Sequence, residues 1–116
     1  MSSLLALFAV VGGIVAPSAA LDENLADYRR SQGYEIEPTE YYVAVNDCDY
    51  IGWKAVLVFD GRTTPLMSVI DCEHPKHSQY RRYNNLIADA PVEVLKKYAN
   101  RVNWTEGVLI LIPPRG

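Results

Sequence analysis

The distribution of charge divides this 116-residue chain into two unequal parts. The first twenty residues carry no charged side chain, whereas the 11 basic and 14 acidic residues all lie from Asp22 onward. Residues 4–16 are apolar or glycine, and small residues follow directly. A short apolar run that ends in small residues is typical of a signal peptide, with Ser18 and Ala20 in the two small-residue positions of the cleavage site. We therefore predict a signal peptide at residues 1–20.

Two other interpretations of this segment stay open. An uncleaved membrane anchor needs about 20 apolar residues. Residues 4–21 nearly reach that length, although Gly12, Gly13 and Pro17 dilute the second half. The third interpretation is an apolar helix buried in the core. The first interpretation makes the protein secreted and extracellular, and it leaves no membrane contact after cleavage.

The two cysteines follow from the prediction of export. Without its leader the chain has about 100 residues, and burial alone stabilises a domain of that size only marginally. Cysteines of an exported chain favour a disulfide. A Cys48–Cys72 bond would close a loop of about 25 residues and contribute about 3 kcal/mol in the chain-entropy model. The alternative is a pair of buried free thiols.

The charge balance limits the possible partners. A net charge of −3 and a pI near 5.3 argue against binding to the phosphate backbone of a nucleic acid. The adjacent Arg81 and Arg82 are expected on a solvated face. His74 and His77 have a spacing that suits a metal only on a helix, and Pro75 argues against a helix there. We therefore expect no metal and no cofactor.

The pattern of apolar residues predicts a mainly β domain. β-branched and aromatic runs predict strands at 41–45, 53–59 and 66–71, a short strand at 86–88 and a final strand at 108–112. Asp60-Gly61 predicts a tight turn between the second and third strands. Apolar residues at helical spacing predict a helix over 91–102. Residues 21–40 are expected to form an exposed N-terminal arm, and the polar residues 74–83 a loop.

This order of elements, with particular residues at its corners, resembles the double-psi β-barrel of the barwin, expansin and rare-lipoprotein-A group. Ile51-Gly52 precedes one strand, the Asp60-Gly61-Arg62 turn leads into a strand that ends at Asp71, a short strand brings Asp89 to the start of a helix, and Gly107 opens the last strand. The resemblance covers residues 42–112. It implies a small six-stranded double-psi β-barrel with one short helix near the C-terminus and one disulfide, in a domain over 41–116.

The sequence departs from that group at functional positions. The His-Phe-Asp of expansins reads Ile87-Ala88-Asp89 here, so the histidine is absent. The Arg-Gly-Pro that follows the strand-end Asp in rare lipoprotein A is replaced by Cys72-Glu73-His74-Pro75. The resemblance therefore implies the fold more firmly than it implies a reaction.

Asp71 and Asp89 are the candidate catalytic residues if the protein is an enzyme. In the resembling fold both strand ends open on one groove that holds an extended glycan, and the residue matching Asp89 is the catalytic acid. Such an acid must protonate the leaving oxygen. The alternative is that Asp89 only caps the following helix.

Candidate ligand-binding residues surround that pair. Tyr80 and Tyr83 lie among polar residues, and exposed aromatic rings stack on the C–H faces of sugars. Asp49 lies beside Cys48 and is a candidate for binding sugar hydroxyls, or else a solvated loop acid. Asn103-Trp104-Thr105 is an N-glycosylation sequon that has meaning only in a eukaryotic secretory pathway.

Three functions remain possible at this level. The first is a secreted, non-catalytic module that binds an extended cell-wall polysaccharide. The second is a secreted factor that recognises an extracellular protein, such as an effector or an inhibitor. The third is a lytic or hydrolytic glycosidase that uses Asp89 as its acid.

Overall fold

The computed structural model describes residues 8–114. The first seven residues of the predicted signal peptide and the last two of the predicted domain lie outside the described residues. Within the described part, no helix has the length and apolar character needed to cross a bilayer.

Seven strands and three short helices make up the described chain. Two 3₁₀ turns and one π-helical turn complete it. In chain order these elements are β1 (Ala9–Pro17), α1 (Glu23–Ser31), β2 (Tyr42–Val45), the 3₁₀ turn Cys48–Tyr50, β3 (Lys54–Phe59), β4 (Arg62–Thr63), β5 (Met67–Cys72), the 3₁₀ turn Pro75–His77, α2 (Ser78–Tyr83), β6 (Leu86–Ala90), α3 (Val92–Val94), the π-helical turn Leu95–Ala99 and β7 (Thr105–Ile112).

Six of these strands form a closed β-barrel. Their order around the barrel is β3-β5-β2-β6-β1-β7, and β7 pairs with β3 to close it. The short β4 extends β3 as a hairpin. The fold is therefore mainly β, and the prediction of a small six-stranded barrel is confirmed.

The barrel contains two parallel strand pairs among antiparallel ones. β1 runs parallel to β6 and antiparallel to β7, and β5 in the same way runs parallel to β2 and antiparallel to β3. The first three barrel strands in the chain, β1, β2 and β3, correspond in order to the last three, β5, β6 and β7. When each strand is replaced by its counterpart, the parallel and antiparallel pairings stay the same. The chain therefore forms two interlocked halves of the same connectivity.

The strands predicted from residue 41 onward lie where the sequence placed them. β2, β3, β5, β6 and β7 each overlap the predicted range, and β6 and β7 are longer. Asp60 and Gly61 form the two-residue turn between Phe59 and Arg62, and both have positive φ, 44° and 84°. Both central residues of a type I′ hairpin turn have φ above zero. These local predictions are confirmed.

The sixth barrel strand comes from the segment assigned to the signal peptide. β1 pairs with β7 from Ala9 to Val15 and with β6 from Ile14 to Pro17. Val15 is fully buried in the barrel interior. The predicted domain boundary at residue 41 therefore leaves out a strand of the barrel. Cleavage after Ala20 would remove that strand and open the barrel.

The chain between β1 and β2 is not an extended arm. Asp22 accepts a hydrogen bond from the Leu25 amide and begins α1, which packs against the outer face of the barrel. Ala26 and Ile36 are buried there with Ile70 in a second, smaller core outside the barrel. The expectation of an exposed arm over 21–40 is corrected by this packing.

The helices near the C-terminal half also differ from the predictions. Residues 75–83 form a 3₁₀ turn followed by α2, so the predicted loop is wrong. α3 and the π-helical turn together cover residues 92–99 of the predicted helix. Pro91 precedes α3 and no side chain caps it, so Asp89 is not its N-cap. Asp89 instead belongs to β6.

The disulfide is present. Cys48 and Cys72 are bonded, and no free cysteine remains among the described residues. The bond joins the 3₁₀ turn after β2 to the end of β5, the strand that pairs with β2 in parallel. The predicted staple is confirmed, and free thiols are excluded.

Candidate functional site

Asp71 and Asp89 share one face of the barrel. Asp71 on β5 and Asp89 on β6 are both register partners of Ala44, one from each side of β2. Ala44 lies between the inward-facing Val43 and Val45, so its side chain points outward. The two carboxylates therefore lie on the outer face, about 10 Å apart at two strand spacings.

Arg29 binds the first carboxylate. It lies in the last turn of α1, and its Nη2 donates to Asp71 Oδ1 at 2.6 Å. Its Nε donates to the carbonyl oxygen of Ile70 at 3.0 Å. The Arg29 and Asp71 side chains are 18% and 33% exposed, so this ion pair is only partly shielded from water. It attaches α1 to the end of β5.

Arg81 binds the second carboxylate and two further groups. It lies in α2 with only 8% of its surface exposed. Its Nη1 lies 3.2 Å from each oxygen of Asp89, and its Nε donates to Asn46 Oδ1 at 2.6 Å. Glu73 Oε2 lies 3.4 Å from the same Nε. The expectation that Arg81 faces solvent is wrong, because these acceptors satisfy its buried guanidinium.

The surface between the two carboxylates is nearly closed. Ala44, which separates them, is 6% exposed. Each carboxylate is occupied by an arginine from a different helix. The outer surface of β2 between them is therefore covered, while the Asp71 and Asp89 side chains stay 33% and 28% exposed.

Exposed aromatic rings lie on α2 and in the loop before β7. Tyr80 and Tyr83 are three residues apart on the helix and are 56% and 89% exposed. Trp104, just before β7, is 42% exposed, and its ring lies 6.3 Å from that of Tyr80 at an interplanar angle of 75°. We call Tyr80, Tyr83 and Trp104 the aromatic face. Arg81, on the same helix, anchors this face to the barrel through Asp89.

The corner beside the disulfide is an open depression. Its volume is about 530 Å³, and Asp47, Cys48 and Glu73 are among its lining residues. Asp49 is exposed in the adjoining 3₁₀ turn, where its amide donates to the Asp47 carboxylate at 2.9 Å. The disulfide thus brings Asp47 and Glu73 together, while the predicted Asp49 is not among the residues that line the depression.

Two further predicted residues lie on the surface. Asn103 is in an exposed bend, and its Oδ1 accepts a hydrogen bond from the Trp104 amide. A glycan at Asn103 would therefore stand beside the aromatic face. His74 Nδ1 accepts a hydrogen bond from the Lys76 amide and begins the 3₁₀ turn. Within residues 8–114, no group of three or more His, Cys, Asp or Glu side chains converges as a metal site would require.

The residues that organise this region were not all predicted. The sequence pointed to Asp71, Asp89, Tyr80 and Tyr83, but it gave no sign that Arg29 and Arg81 would bind the two carboxylates. An arginine within a short polar segment looks solvated unless its helix is known to pack on a sheet. The sequence singled out Trp104 only as the middle residue of the Asn103-Trp104-Thr105 sequon.

Comparison with known proteins gives no relative. No protein-family model, no curated protein and no solved structure matches the chain.

Proposed function

We propose that this protein is a secreted, non-catalytic module that binds an extended cell-wall polysaccharide across the aromatic face. The observation that carries the proposal is the group of three exposed aromatic side chains on and beside α2, two of them in contact. Large exposed aromatic rings that gather on one surface mark an interaction site more often than isolated ones do.

The chemistry of the face suits a sugar chain. An aromatic ring offers a flat apolar surface with negative charge over its centre, on which sugar C–H groups stack. The hydroxyls of Tyr80 and Tyr83 and the indole N–H of Trp104 supply polar groups at the edges of the same rings. Successive rings along a surface suit a polymer of repeating sugars better than a single small ligand.

Asp89 and Arg81 contribute to the proposed site by position. Both Asp89 oxygens lie 3.2 Å from Arg81 Nη1, and the Asp89 side chain remains 28% exposed. The ion pair holds α2 against β6 and so fixes Tyr80 and Tyr83. The exposed part of the carboxylate is available to accept a hydroxyl at the edge of the face.

Fold and disulfide add support. The interlocked connectivity of the six-stranded barrel agrees with the resemblance to the double-psi barrels of the barwin, expansin and rare-lipoprotein-A group. Disulfides persist mainly outside the reducing cytosol, so Cys48–Cys72 supports an extracellular location. The predicted leader does not support it, because cleavage after Ala20 would remove β1.

Binding is favoured over glycoside hydrolysis by the state of the two carboxylates. A general acid must carry a proton toward the leaving oxygen and reach it directly. Asp71 and Asp89 instead accept hydrogen bonds from arginines, and little surface is open between them. If Asp89 were nevertheless the acid, Asp89→Asn would abolish any release of soluble sugars from a wall polymer.

The test is retention on insoluble chitin, cellulose and peptidoglycan. Tyr80→Ala and Trp104→Ala are each expected to weaken binding about fivefold, which is about 1 kcal/mol for one lost stacking contact. Tyr28→Ala is the matched control, because Tyr28 on α1 is 55% exposed, against 56% for Tyr80. Retention on none of the polymers would overturn the proposal. Equal loss in Tyr28→Ala would move the site away from the aromatic face.

A further inference from the structure

A separate pocket lies between the β3–β4 turn and the end of the π-helical turn. Its volume is about 260 Å³, and its polar lining comprises Asp60, Arg62, Asn100 and Arg101. Two left-handed residues shape it, since Asp60 has φ of 44° and Asn100 has φ of 54°. Asp60 turns the chain into β4 and so places Arg62. Asn100 ends the helical turn and places Arg101 opposite it.

The two arginines of this pocket have spare hydrogen-bonding capacity. Among the described residues, neither Arg62 nor Arg101 forms an ion pair. Arg62 Nη1 has one long contact, 3.5 Å to the carbonyl oxygen of Lys97. A guanidinium carries five N–H donors in a planar fork that matches a carboxylate. Two guanidinium groups at the pocket are therefore available to bind an anion.

The remaining lining residues are suited to a ring that bears hydroxyls. Phe59 is buried beneath the pocket, and Tyr98 and Ala99 form part of its wall. The Asp60 carboxylate accepts hydroxyl hydrogens, and the Asn100 amide both donates and accepts. A few convergent polar groups fix the orientation of the ligand in a small-ligand site.

The local charge favours an anion despite Asp60. The charged residues that line the pocket are Asp60, Arg62 and Arg101. Two guanidinium groups therefore face the single carboxylate of Asp60, a local excess of one positive charge. This balance is opposite in sign to that of the whole chain, whose net charge is −3.

We propose that this pocket binds an acidic sugar of the uronic acid class. The carboxylate of the ligand accepts from Arg62 and Arg101, the ring packs on Tyr98, and hydroxyls bond to Asp60 and Asn100. The proposal does not rest on the aromatic face, because it uses none of its residues.

The experiment is an NMR titration of the ¹⁵N-labelled full chain with D-glucuronate, D-glucose and inorganic phosphate. Glucuronate is expected to shift the amides of Gly61, Arg62, Asn100 and Arg101 with millimolar affinity, and glucose is expected to shift none of them. Arg62→Gln and Arg101→Gln are each expected to weaken glucuronate about tenfold or more, as the loss of a charged hydrogen bond does. Arg62→Lys keeps the charge but not the fork, so it is expected to lose part of the affinity.

One variant serves as a control, and two results would contradict the proposal. Arg82→Gln removes an exposed arginine of α2 and is expected to leave glucuronate binding unchanged. Phosphate that binds as tightly as glucuronate would make the pocket a general oxyanion site and overturn the assignment to a sugar. Failure of glucuronate to shift these amides would overturn the proposal altogether. Neither result would affect retention on wall polymers through Tyr80 and Trp104.

Discussion

Gly13 lies where β1 passes close to β6 and to Asn85, the residue before it. A Cβ at this position would lie 2.6 Å from Ile87 Cγ2 and 2.7 Å from the carbonyl oxygen of Asn85. A normal contact between carbon atoms is about 3.5–4.0 Å, so these neighbours would have to move by about 1 Å. The neighbouring Gly12 has nothing within 4 Å of the same added atom. The two glycines therefore form a matched pair within one strand.

The expected cost of Gly13→Ala follows from these contacts. Forcing an extra methyl into a packed site costs about 1–3 kcal/mol. The Asn85 carbonyl also accepts a hydrogen bond from the Ile14 amide at 2.8 Å, and weakening this bond adds about 1 kcal/mol. We expect Gly13→Ala to lower the free energy of unfolding by about 2–4 kcal/mol, a large share of the 5–15 kcal/mol typical of a domain. Gly12→Ala should be neutral or slightly stabilising, because it restricts the unfolded chain.

The assay is urea unfolding of both variants, followed by tryptophan fluorescence. Neither substitution adds charge or interrupts the apolar run, so a leader in these residues would work equally well in both. If the two variants unfold at the same urea concentration, β1 does not pack as described. The mass of the protein isolated from its natural host gives an independent check, because a mature chain that starts at Leu21 lacks the strand and would refute the reasoning.

Three further outcomes are expected. Arg81→Met should lower the free energy of unfolding by about 2–3 kcal/mol, because it leaves the partly buried Asp89 unpaired. Denaturant titrations measure this loss. A loss below about 0.5 kcal/mol would contradict the expectation, because the pair would then contribute no more than a surface ion pair. Replacing Cys48 and Cys72 with alanine should lower the free energy of unfolding by about 3 kcal/mol, since the bond closes a loop of about 25 residues, and an unchanged melting temperature would contradict this. Burial, reinforced by the nearby Glu40 carboxylate, raises the pKa of Tyr41 above 10.0. The folded state then holds this proton more tightly than the unfolded state, so stability should fall as the pH rises past 10.0, and Tyr41→Phe should reduce that fall in unfolding experiments between pH 9 and pH 11.

Local sequence signals predicted much of the barrel. The β-branched and aromatic runs located the strands from Tyr42 to Ile112, and Asp60-Gly61 located the hairpin turn. Such signals work because strand preference and turn geometry depend on neighbouring residues. The same local signals gave a wrong prediction for residues 74–83, where a proline and polar side chains suggested a loop. Helix α2 depends on tertiary contacts, since Arg81 packs against the barrel and binds Asn46 and Asp89.

The candidate site was predicted in part. Tyr80 and Tyr83 were singled out as exposed aromatics, and both are exposed. The shared face of Asp71 and Asp89 was suggested only through the resemblance, and it depends on Ala44 pairing with both strands. The arginines that bind these carboxylates lie 42 and 8 residues away along the chain. No local sequence pattern specifies a contact between two residues that are 42 positions apart.

The sequence by itself determined the β character of residues 41–112, the hairpin turn and the pairing of the only two cysteines. The strands and the turn depend on the preferences of neighbouring residues, and two cysteines allow only one pairing within the chain. The tertiary structure decided what the uncharged residues 9–17 do. A continuous apolar run suits a leader, a buried helix or a central strand equally, because its hydrophobicity has no period to distinguish them. Pairing with β6 on one side and β7 on the other makes it the barrel strand between them.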